Sequence, residues 1–227
     1  MVNVDTVYQR VLAIANKEQR GYITPLEFNL FANQAQMDIF EQYFYDLNQF
    51  SRAPGNDMEY SDMVTILEEK INLFEVSGSL TSTTGVFDTG TLSNFYRLGT
   101  VQAGGVEVEK LEHKDFKIIR RSPLTKPTLE RPAYFKQGGI LNVEPASVGA
   151  INVFYIRRPA QVGWGYVVTL EKALYNAGRS TNFELHDSEE TDLVVKILAL
   201  AGITMDDQAL YQIASQEDIK NTQSEKQ

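Results

Sequence analysis

The sequence predicts an α+β fold: a helical frame, made of an N-terminal helical hairpin and C-terminal helices, around a central strand-rich insert. Three observations predict it. Apolar residues recur at three- and four-residue steps as far as Asn72. Between Phe74 and Val101 the chain turns rich in Ser, Thr and Gly, with short apolar runs such as Phe95-Tyr96-Arg97-Leu98. Helical spacing returns after Asp187. The expected division is a helical segment over 1–75, a β-rich insert over 76–170, a helical segment over 171–205 packed on the first helices, and an acidic extension over 206–227.

Residues 4–20 read as a first helix, capped by Asp5 and ended by Gly21. Its buried side carries Val7, Val11, Ile14 and Ala15, with Tyr8 and Leu12. The next stretch, Thr24 to Phe50, is the one around which the rest is arranged. Thr24 caps, Pro25 suits the first helical position, and Glu27 completes a Thr-x-x-Glu capping box. Phe28, Phe31, Ala35, Ile39, Tyr43 and Leu47 form a stripe that Leu30, Met37, Phe40, Phe44 and Phe50 widen. At about 1.5 Å per residue the rod is roughly 40 Å long. So wide an apolar surface suits cover from neighbouring subunits, with Phe31, Ile39, Phe40, Tyr43 and Phe44 as the residues to supply it. An ordinary core helix satisfies the same periodicity.

Residues 51–59 (SRAPGNDME) read as a loop, and 61–72 as a third helix. Glu112 to Arg121 holds one short helix, after which Pro123, Pro127 and Pro132 enforce an extended connection. A β-hairpin is expected around Gly138-Gly139, and a further strand over Ile151–Arg157. Asp187 to Glu190 offers a second capping box, ahead of an apolar face of Leu193, Val194, Ile197, Leu198 and Ala201 that Gly202 closes. A weaker helix runs from Asp206 to about Thr222.

With 227 residues, 43% hydrophobic and 22% charged, the chain has the composition of a globular protein. It has no cysteine, which excludes disulfides, thiolate zinc sites and cysteine nucleophiles. No apolar run reaches membrane-spanning length and no signal-peptide pattern opens the chain, so a soluble protein is expected. The net charge of −9 opposes general affinity for nucleic acid. That charge is unevenly placed. Lys110 to Lys136 holds eight Lys/Arg against three acids, whereas Glu184 to the end holds ten acids against three Lys. The asymmetry suits contacts between copies of one protein, through Arg120, Arg121 and Arg131 on one side and Glu189 and Glu190 on the other. Solvated faces account for it as well. The stretch 110–136, with Phe116, Tyr134 and Phe135, also offers an alternative function as a nucleic-acid-binding module.

Residue types that carry chemistry are sparse. Asn16 to Glu27 resembles an EF-hand loop, but its fifth position is Arg20, a cation where a ligand is needed. His113 and His186 stand in no metal-ligand spacing, and there is no GxSxG, GxGxxG or Walker pattern. Glu68-Glu69 and Glu189-Glu190 diverge around their helices. A protein without catalytic residues, metal or cofactor is expected.

Three segments carry a resemblance. VDTVYQRVLAIANKEQRGYITPLEFNLFANQAQMDIFEQYFYDLNQF, SPLTKPTLERPAYF with ILNVEPASVGAINVFYIRRPA, and ELHDSEETDLVVKILALAGI are similar to a virion structural protein of tailed phages, crAss-like and marine short-tailed ones especially. The similarity is loose between about 74 and 110. It implies a head-to-tail connector, or tail adaptor, ring stacked beneath the portal. It further implies a twelvefold assembly, location in the virion with assembly in host cytoplasm, and other ring or tail proteins as partners. Double-stranded DNA would pass without tight binding, and no membrane is involved. An acidic C-terminal portion with Leu210, Ile213 and Asp218 is the expected portal contact.

Overall fold

The computed structural model describes residues 1–17, 23–52, 58–170, 172–204 and 216. The fold is α+β, with N-terminal helices, central β-sheets and a C-terminal helix packed against the N-terminal ones. The chain divides into two compact units, one of residues 1–73 and 159–227, the other of 74–158.

The first unit holds four of the described helices. Helix α1 spans Val4–Lys17, α2 Pro25–Arg52, α3 Met58–Asn72 and α5 Glu190–Thr204. Helix α2 packs against α3 and α5, and α1 against α5. The capping box forms as expected: Glu27 N donates to Thr24 Oγ1 at 3.3 Å, and Glu27 Oε2 accepts from Thr24 N at 2.9 Å. At α1 the cap is Asn3 and not Asp5. Asn3 Oδ1 accepts from the backbone of Asp5 at 2.8 Å, leaving the Asp5 carboxylate for a distant partner. The box expected at Asp187 also differs. His186 Nδ1 accepts from Ser188 N at 3.2 Å and caps a short 3-10 turn, while Asp187 pairs with the N-terminal amine. Residues 18–22 of the EF-hand-like loop, and the weak final helix apart from residue 216, lie outside the described residues.

The second unit is a two-sheet sandwich. One sheet orders β1 (Glu75–Thr81), β8 (Ala150–Arg157), β3 (Phe95–Ala103) and β4 (Val106–Glu107). The other orders β2 (Val86–Asp88), β7 (Ile140–Glu144), β6 (Ala133–Gln137) and β5 (Glu109–Lys110). Period-two alternation does the work: Ile151, Val153 and Tyr155 of β8 point inward and join Phe87, Tyr134, Leu141 and Val143 of the opposite sheet in one core. The β6–β7 turn places Gly138 at φ +60°, which glycine adopts without a Cβ clash. Helix α4 (His113–Arg121) lies on this unit with Phe116 turned inward.

The stretch after Arg158 returns to the first unit. There β9 (Tyr166–Thr169) and β10 (Lys172–Tyr175) form an antiparallel two-stranded ribbon, within a region expected to be helical from 171 onward.

Candidate interaction surfaces

Asn29, Asn33 and Gln36 sit at four- and three-residue steps on α2, and therefore on one face. Opposite them runs the extended segment Ala160–Trp164. Asn33 Nδ2 donates to Val162 O and Val162 N donates to Asn33 Oδ1, both at 2.8 Å. Asn29 repeats the exchange with Trp164, at 2.7 Å for Trp164 N to Asn29 Oδ1. Gln36 Nε2 donates to Ala160 O at 2.8 Å, and its Oε1 accepts from Glu184 N at 3.1 Å. The amides thus act as a strand partner to alternate residues of the segment. The match is geometric: two strand residues advance about 6.6 Å and one helix turn about 5.4 Å.

This ladder leads straight into the ribbon. Trp164 is buried, its Nε1 donates to Asp5 Oδ1 at 2.9 Å, and its ring lies 4.3 Å from that of Tyr8. Tyr166 and Tyr175, at the ribbon's base, each place a ring 5.8 Å from Trp164. At Gly165 an added Cβ would lie 2.5 Å from the carbonyl of Arg179, so the base closes only on glycine. Beyond this root the ribbon is exposed: apolar Val167, Val168, Leu170 and Leu174 face solvent, and so do Thr169 and Lys172. Leu170, 92% exposed, holds φ at +49°, a conformation that costs a leucine more than Asn or Gly. Among the described residues each ribbon strand pairs only with the other.

The second surface is the basic segment. Its α4–β6 connection makes a tight turn in which the backbones of Thr128 and Arg131 exchange hydrogen bonds at 3.1 and 3.2 Å. Leu129 lies in that turn and Leu124, 94% exposed, precedes it, with Arg121, Lys126 and Arg131 around them, all exposed. No ion pair engages those three cations among the described residues, whereas Arg120 Nε lies 3.1 Å from Glu144 Oε1 of its own unit.

Other expected interface residues sit elsewhere. Ile39, Phe40 and Tyr43 are buried in the chain's own core and present nothing to a neighbour. They face inward because α2 is covered by α3 and α5. Phe31 and Phe44 are half-buried, Phe44 set edge-on to Phe40. Exposed apolar residues of α2 are instead Leu26, Leu30 and Tyr45. Glu189 is also buried, paired with Lys70 at 2.6 Å, and Glu190 pairs with Arg10 at 2.9 Å. Both acids serve the fold. Leu210, Ile213 and Asp218 lie outside the described residues.

The geometry of acid–base or metal chemistry is thin. The His113 ring lies tilted against that of Phe135, 4.9 Å away, and His186 caps a turn. Among the described residues no cluster of three or more His, Cys, Asp or Glu is placed to hold a metal ion. No described helix is long and apolar enough to cross a membrane. Thr24's hydroxyl and then its backbone N–H hold the Glu27 carboxyl below its ordinary range, which is a capping effect. Compared with family models and with curated proteins, the chain matches none.

Proposed function

We propose that this chain is a non-enzymatic subunit of a phage head-to-tail connector ring that joins portal to tail and leaves a passage for the genome. The likeness of the three quoted segments to phage adaptor proteins suggests the assembly. The observation that carries the reading is the charge split between the two units. Residues 74–158 hold eleven Lys/Arg against eight acids, and the rest of the chain ten against twenty-two. A ring needs two different, complementary faces on every subunit, and two units of unlike charge are material for them.

Nucleic-acid binding through 110–136 is less well supported. Phe116 and Tyr134, the rings needed to stack on bases, are buried, and Phe135 is half-buried against Phe116 at 4.7 Å. Electron microscopy of the purified protein mixed with the portal of the same particle tests the connector reading. The expected image is a ring on the portal's tail-facing end. A portal left bare at saturating protein overturns it.

A further inference from the structure

We propose that the outer face of α4, continued by the α4–β6 turn, is a docking site, and that its occupant is residues 205–227 of a second copy of this chain. The inference rests on the connector reading for the choice of a second copy, though not for the fit between segment and face. It gives those residues a different seat from the portal contact expected of Leu210, Ile213 and Asp218.

The face is built by one helix and the turn after it. Phe116 holds α4 from within, so Lys114, Lys117, Ile118 and Arg121, at three- and four-residue steps, stand on its outer side, all exposed. The chain runs on through exposed Leu124 and Lys126 into the turn that the Thr128 and Arg131 backbones close, with Leu129 exposed inside it. Over 114–131 six cations stand against two acids, Asp115 and Glu130. Of those cations only Arg120 has an ion-pair partner among the described residues. Ile118, Leu124 and Leu129 rimmed by unpaired cations suit a partner that is itself apolar and acidic.

The choice of occupant follows from charge and from length of chain. Helix α5 ends at Thr204, and 23 residues follow it. They hold five acids against two Lys, a balance opposite in sign to that of the face. Their sequence pattern matches as well. Leu210, Ile213 and Ala214 recur at helical spacing, with Asp206 and Asp207 before them and Glu217 and Asp218 after. An apolar centre between acidic ends suits leucines between cations. At full extension 23 residues reach roughly 75 Å, enough to leave their own subunit. Segment and face belong to different units of the chain, so their contact joins two unlike surfaces and can repeat from copy to copy.

Because the chain has no cysteine, single substitutions make the test specific. Thr125→Cys, beside Leu124, and Ser215→Cys, within the segment, are prepared in separate chains. They are mixed at high concentration, with and without portal, and treated with a short bismaleimide, so every product joins two copies. The expected product is the 125–215 pair, in excess over 125–125 and 215–215. Its yield should fall about tenfold when Arg121, Lys126 and Arg131 are changed to Glu in the Thr125→Cys chain. Changing Asp206, Asp207, Glu217 and Asp218 to Lys in the other chain should then restore it, a rescue that a merely structural role of either set would not give. No 125–215 pair above background in either mixture, or a pair indifferent to both charge changes, overturns the docking. A chain carrying both cysteines that cross-links to itself at high dilution gives the face its own segment and overturns the second copy. Binding to phosphatidylserine vesicles that the three Glu changes abolish assigns the face to a membrane and overturns it too. If the pair fails and rings still form on the portal, this docking alone fails. If it forms and the portal stays bare, the pairing stands and the connector reading fails.

Discussion

Lys70 and Glu189 illustrate how a single pair can decide whether an acid is available for binding. Their 2.6 Å contact is almost wholly buried, with Lys70 also placed over the ring of Tyr43 at 5.5 Å. Two charges taken from water together tolerate each other; one left alone does not. Lys70→Met is expected to lower unfolding free energy by about 3 kcal/mol in chemical denaturation, whereas Lys70→Met with Glu189→Leu should restore most of that loss. A full loss in the double variant would show that the pair stabilises by more than mutual neutralisation. Glu189 was legible as an acid near a helix start, but not as a buried one, because Lys70 lies 119 positions earlier in the chain. The same limit applies to Asp5. Its place at the head of α1 fits a cap, and only the fold brings the Trp164 indole to it.

At the scale of elements, α2 is both a core helix and a scaffold for the segment that carries the ribbon. Its apolar stripe was plain from spacing, and the capping box from residue type, because both are local to the helix. Asn29, Asn33 and Gln36 read as ordinary polar positions until the segment Ala160–Trp164 lies beside them. Asn33→Leu should cost about 2 kcal/mol by leaving the Val162 N–H and C=O without partners. The loss should be accompanied by faster amide exchange over Val162–Gly165. Stability lost without that local change would place the role of Asn33 elsewhere. The ribbon itself escaped pattern reading for a definite reason. Thr169 to Lys172 lacks the Gly, Asn or Pro that marks a tight turn, and Leu170 takes the left-handed position in their place.

For the whole molecule the deciding quantity is where the charge lies. The net value of −9 opposes a general attraction to DNA, and the local excess of cations in 110–136 opposes that trend. With Phe116 and Tyr134 buried, that stretch offers bases little to stack on. Fluorescence anisotropy with a short duplex at physiological salt should give a Kd weaker than about 10⁻⁴ M. Saturable binding tighter than this, lost on changing Lys126 and Arg131 to Glu, would favour the nucleic-acid reading over the connector.

The sequence by itself determined the α+β class, most helix and strand positions and the unequal distribution of charge. Each depends on residues close together in the chain. Tertiary structure alone decided that Ile39, Phe40 and Tyr43 of α2 are core, because α3 and α5 supply the cover that periodicity cannot assign. It also decided that apolar residues of 166–175 stay outside, on a ribbon, since burial is a property of what packs against a residue and not of the residue's own type.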